Sequence, residues 1–234
     1  MTLCSGPILK SSAGEPVSLY RGITSIATKE AGTDGYDLPN PGGTAAGDLL
    51  VFYSAGTENP NDFNGDGWTQ IFGIAGINLW WKIADNDFTD DPWINYLGIG
   101  FPQVWAKIAF AGQGGAPFLP DTVHNTFITS SGTDFPYGSL TASGTGVTVS
   151  VAIGRRYVSG TEQDAIGDMA DAAFTTIFTD NETSTAFPRT EYRVISYKAE
   201  VAATALSSGV WSGAEDGESG NMFSVVQKWD FAGS

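Results

Sequence analysis

TAAGDLLVFYSAGTENPNDFNGDGWTQIFGIAGINLWWKIA, residues 44–84, decides how the rest of the chain is read. Three apolar runs lie close together in it, at 49–54, 69–74 and 77–84. Asn59-Pro60, Asn64-Gly65, Asp66-Gly67 and Gly76 separate them. Short runs rich in Val, Ile and aromatics, bounded by Gly, Pro and Asn, read as strands. The third run alternates: Ile77, Leu79, Trp81 and Ile83 point one way, and Asn78, Trp80 and Lys82 the other. A period of two marks a strand with one face in the core.

The same signals recur outward from this stretch. Residues 17–28 read as a first strand interrupted at Arg21-Gly22, and 93–99, 125–129, 192–198, 199–206 and 221–229 read as further strands. Residues 104–110 alternate again, with Val104, Ala106, Ile108 and Phe110 set against Trp105, Lys107 and Ala109. Val147, Val149, Val151 and Ile153 do the same over 147–153. Trp80-Trp81-Lys82-Ile83-Ala84 and Trp105-Ala106-Lys107-Ile108-Ala109 share the form W-x-K-I-A, which gives the two strands equivalent faces. Residues 29–47, 112–120, 130–146 and 206–220 read as loops, and 85–92 as a solvated turn. At most one short helix is expected, over 161–174, with Thr161 and Asp164 as a capping box and Ala165, Ile166, Met169, Ala170, Ala173 and Phe174 at helical spacing; Gly167 leaves a long loop as the rival reading.

About ten strands make the fold class all-β, a two-layer antiparallel β-sandwich, jelly-roll-like. The single domain spans residues 17–234, behind an extended polar arm, residues 1–16, that carries Pro7 and Pro16. The expected core contains Leu50, Phe52, Ile77, Leu79, Trp81, Ile83, Val104, Ile108, Val149 and Val151.

Composition narrows the function. Of the 234 residues 41 % are hydrophobic and 12 % aromatic, enough for a sizeable core. The formal net charge of −15 repels phosphate backbones and anionic membranes, so neither nucleic acid nor membrane is an expected partner. Cys4 is the one cysteine, which leaves no intrachain disulfide and no Cys-based zinc site. No run approaches the ~18 apolar residues that a membrane span needs. The start, MTLCSGPILKSS, lacks the basic and apolar regions of a signal peptide, so synthesis in a cytoplasm is expected.

Few residues suggest chemistry. Asp62, Asn64 and Asp66, followed by Gly67, match the opening of a calcium loop. The twelfth position, which should be a bidentate Glu, is Gly73, and the flanks read as strands, so a turn of Asn, Asp and Gly is the preferred reading. His124 is the only histidine, with Asp121 as its nearest orienter, but no G-x-S-x-G supplies a nucleophile and a loop histidine is expected. No Walker A or G-x-G-x-x-G occurs, and 26 acidic residues make any one carboxylate pair uninformative. Asn181-Glu182-Thr183 spells a glycosylation sequon. No catalytic residue, metal or cofactor is therefore assigned. Trp80 and Trp105, with Lys82 and Lys107, lie by alternation on the face away from the aliphatic row. They are covered by the same chain, meet a partner subunit, or stack on a sugar ring.

Gly47-Asp48-Leu49-Leu50-Val51, then Gly67-Trp68-Thr69, then Trp81-Lys82-Ile83-Ala84 resemble a recurring pattern in β-rich structural proteins of tailed bacteriophages, of the head-decoration or tail type. The resemblance lies within residues 44–84. It implies a non-enzymatic virion protein, made in the host cytoplasm and carried on the particle as a capsid decoration (cement) protein. Its partners would then be the major capsid protein or other virion proteins and further copies of itself, as a trimer, with the N-terminal arm as a contact element. The alternatives are a tail or fibre component binding a host surface glycan, and a carbohydrate-binding module or glycan hydrolase.

Overall fold

The computed structural model describes residues 19–28, 36–55, 62–63, 67–74, 77–85, 93–95, 103–112, 118–129, 135–140, 145–156, 173–183, 190–200, 205–211 and 220–231. The N-terminal arm, and residues 161–172 of the expected helix, lie outside them; Ala173 is a turn residue, and no helix occurs among the described residues.

The strands in the first part of the chain are β1 (Tyr20–Thr28), β2 (Tyr36–Asp37), β3 (Leu49–Ala55), β4 (Asp62–Phe63), β5 (Thr69–Ile74), β6 (Ile77–Ile83), β7 (Trp93–Asn95) and β8 (Gln103–Phe110). Those that follow are β9 (Phe118–Thr129), β10 (Phe135–Tyr137), β11 (Gly146–Arg156), β12 (Thr175–Thr183), β13 (Thr190–Glu200), β14 (Gly209–Trp211) and β15 (Gly220–Phe231). One five-stranded antiparallel sheet has the order β1-β8-β3-β6-β5, and a second has the order β12-β13-β11-β15-β9. Small sheets of order β2-β7-β4 and β10-β14 accompany them. The architecture is the expected all-β sandwich. The jelly-roll likeness extends to the two layers only, because each large sheet is built from one half of the chain rather than from strands that alternate between layers.

One apolar cluster joins the two large sheets. The first contributes Leu49, Val51, Tyr53, Leu79, Val104, Ile108 and Phe110; the second contributes Val147, Val149, Val151, Ile153, Ile195, Val225 and Trp229. Trp81 and Ile83 pack against it half-buried, as the alternation of β6 requires. β3 is central and apolar on both sides, so its run reads LLVFYSA without a polar row. Leu49, Val51 and Tyr53 face the core, whereas Leu50 and Phe52, also buried, face outward beneath covering segments. The side chain of Ile77 lies outside the described residues.

Parts of both outer faces are covered by the chain itself. Trp68 packs on Leu50, Ala84 and Ala109 outside the first sheet. Outside the second, Tyr137, Leu140, Leu206 and Trp211 close over Ala152, Val194 and Val226.

Several expectations need correction. β12 carries no strand signal in the sequence: TTIFTDNET has an adjacent apolar pair and no alternation, because β12 is an edge strand whose register shifts between Thr176 and Phe178. β9 begins at Phe118 rather than at residue 125, so Asp121 and His124 lie on a strand and not in a loop. Pro120 is tolerated there because β9 is at a sheet edge. β13 ends at Glu200, and Leu206 forms an isolated bridge with Leu140. The Gly- and Ser-rich stretches read as loops contain the short strands β2, β10 and β14.

Candidate functional site

Residues 47–51, 67–69 and 81–84 meet at one corner of the first sheet. Gly47 has φ +87°, a left-handed conformation that glycine adopts without strain, and it turns the chain into β3. Its N–H donates to Ala84 O at 2.7 Å, and Ala84 N–H donates to Asp48 O at 2.8 Å, which locks the start of β3 to the end of β6. The Asp48 carboxylate is buried and accepts from Arg21 Nε at 2.7 Å, Arg21 Nη2 at 3.2 Å, Ala45 N at 2.7 Å and Gly112 N at 2.9 Å. It therefore ties the bulge in β1 and the exit of β8 to the same point. Gly112 must lack a side chain, because a Cβ there would lie 2.3 Å from Gly47 O. Gly67, at φ +81°, admits the Lys82 stem beside it, and Trp68 meets Phe52 edge-on with ring centroids 6.1 Å apart. Lys82 reaches Asp85 at 3.1 Å.

The four expected interface residues share the outer face of this sheet, and register explains why. β6 and β8 flank β3 on opposite sides, pairing Phe52 with both Trp80 and Lys107, Leu50 with Lys82, and Ser54 with Trp105. Their accessibility differs. Trp105, at 3 %, and Lys107, at 0 %, are inside the chain. Lys107 Nζ donates to Leu38 O and, at 3.0 Å, to Asn40 Oδ1, so a segment that precedes β3 covers it. Lys82 is also buried, and Trp80 is half-buried. Of the two indoles, only Trp80 keeps part of its surface toward solvent.

Sequence reading missed a polar feature of this face. Asn78 Nδ2 donates to Ser54 Oγ at 3.4 Å, and Gln70 Nε2 donates to Asn78 Oδ1 at 2.9 Å. The chain of side chains crosses from the central strand to the sheet edge. Gln70 joins it because the register of β5 shifts between Gln70 and Phe72, which no pattern in residues 69–74 announces.

Of the calcium-loop residues, Asp62 sits on β4 and pairs with Asn95, while Asn64 and Asp66 lie outside the described residues. Among the described residues no group of three or more His, Cys, Asp or Glu is placed to hold a metal ion. His124 pairs with Val226 in the ladder between β9 and β15. Neither family models, nor curated proteins, nor solved structures give a match to this chain.

Proposed function

We propose that the protein is a non-enzymatic structural component of a tailed-phage virion, a decoration protein seated on the outer shell against the major capsid protein. The observation that supports this reading is the corner around Asp48. The three segments that carry the resemblance adjoin one another, and the polar groups of Gly47, Asp48 and Ala84 hold β1, β3, β6 and β8 together. The shared pattern is thus a scaffold pattern, and a rigid scaffold is what a cement protein contributes. A net charge of −15 suits a chain that stays soluble until it meets the shell and that avoids the packaged nucleic acid. A symmetric oligomer, a trimer on a local three-fold axis, would repeat weak contacts and reinforce them through effective concentration. The test is sedimentation of phage heads, stripped of their outer proteins, with the purified full chain. Saturable co-sedimentation at a fixed ratio to the major capsid protein is expected; its absence would overturn the reading.

A further inference from the structure

The side-chain relay on the outer face of the first sheet ends at the surface. Ser54 and Asn78 are 3 % and 0 % exposed, whereas Gln70 is exposed. The register shift in β5 puts Gln70 and Gly73 on the same face, opposite Trp80 and Asn78. A Cβ on Gly73 would come within 2.4 Å of Gln70 Nε2 and 2.8 Å of Asn78 Oδ1, so the glycine leaves the space that the two amides occupy. A buried amide fixed by Ser54 thereby sets the plane of an exposed one. The cross-strand neighbour of Gln70 is Trp80, a half-buried indole of this face.

We propose that Trp80 and Gln70 form a docking platform for one sugar ring of a neutral glycan. Indole surface takes the C–H face of a pyranose, and stacking on an aromatic is favourable when both are partly desolvated. An amide of fixed plane offers a carbonyl acceptor and an N–H donor to adjacent hydroxyls, and its orientation is set before the ligand arrives, which lowers the entropic cost of binding. The platform carries no charge and the chain carries −15, so uronic and sialic acids are disfavoured. One indole and one amide match a single ring, whereas a stable protein partner needs about 800 Å² from each side. A contact this small binds weakly, about millimolar, and repetition on an oligomer or a particle raises its avidity. The proposal stands whether or not the chain rides on a virion.

The experiment is a tryptophan-fluorescence titration of the purified full chain with a panel of neutral hexose and N-acetylhexosamine trisaccharides, with trigalacturonate as the acidic comparison. Saturable binding of at least one neutral sugar and none of trigalacturonate is expected. Gln70→Ala should weaken that binding about tenfold, the effect of ~1.4 kcal/mol. Gly73→Ala, which displaces the amide and leaves Trp80 intact, should weaken it likewise, and Trp80→Phe should weaken it less than Trp80→Ala abolishes it. These two milder variants decide the matter if Trp80→Ala does not fold. No saturable binding across the panel, or an unchanged affinity in Gln70→Ala, would overturn the proposal. So would a change in the sedimentation coefficient of the sugar-free chain on Gln70→Ala, which would mark a second copy as the occupant.

Discussion

Asp48 shows how one side chain can hold a sheet corner. Its carboxylate is buried and accepts from four N–H groups on three segments, while the Arg21 side chain that contributes two of them is 36 % exposed. Removing the acid leaves Ala45 and Gly112 N–H groups without an acceptor in a part-buried site; removing the base leaves a carboxylate still held by two backbone donors. Asp48→Ala should therefore cost about 3 kcal/mol, the scale of orphaned donors at a charged acceptor. Arg21→Ala should cost about 1 kcal/mol, because an exposed partner contributes little. Urea denaturation of both variants checks this, and equal losses would show that the ion pair alone matters. A second residue sets a pH limit. Tyr20 stacks on Tyr197 with centroids 5.1 Å apart, and burial, then the charge of Tyr197, raises its pKa above the usual 10.0. The unfolded chain loses that proton first, so the stabilisation is complete below pH 10.0 and declines as the pH rises past it. Melting temperatures measured on either side of that pH should fall less steeply in Tyr20→Phe than in the parent chain.

At the scale of elements, the edges of both sheets differ from their centres. Register shifts occur in the pairs β1–β8, β5–β6, β12–β13 and β15–β9, each of which includes an edge strand. The central pairs β3–β6, β3–β8, β11–β13 and β11–β15 run without a break. Bulged edges resist pairing with another chain's strand, so self-association of this protein should proceed through faces or loops and not by sheet extension. Close backbone approaches mark a second set of constraints. A Cβ on Gly146 would lie 1.9 Å from Trp229 O, whereas Gly42 has nothing within 4 Å. Gly146→Ala should cost more than about 2 kcal/mol through forced backbone shifts, and Gly42→Ala should change stability by less than about 0.5 kcal/mol. Thermal melts of the pair separate the two effects. The elements legible in the sequence are those with a strict period of two, such as β6, β8 and β11, and the W-x-K-I-A form correctly placed Trp80, Lys82, Trp105 and Lys107 on one face. Whether they were covered was not legible, because Leu38 and Asn40 lie 69 and 67 residues away from Lys107. β12 escaped because an edge strand needs no apolar alternation, and the Gln70–Asn78–Ser54 relay escaped because it depends on a bulge.

For the molecule as a whole, burial redistributes charge. Among the described residues Lys82, Lys107, Arg193 and Lys228 are buried, compared with one acid, Asp48, so this part of the chain presents fewer cations at its surface than its sequence suggests. Arg193 is inside the sandwich and donates to Asp180, and Lys228 lies 3.4 Å from Asp230, so these charges are balanced locally. Such a surface favours solubility and rejects polyanions. Together with outer faces partly covered by Trp68 on one side and Trp211 on the other, it describes a two-layer body that a partner meets through the uncovered parts of those faces or through the loops. The proposed place for that body is the outside of a phage head. The measurement that tests this most directly is a cryo-EM reconstruction of the particle on which the proposal places the chain. The account expects two-layer sandwiches grouped in threes on the outer shell, each touching more than one major capsid subunit. Particles that lack this density, or that carry single copies each touching one shell subunit, would contradict it.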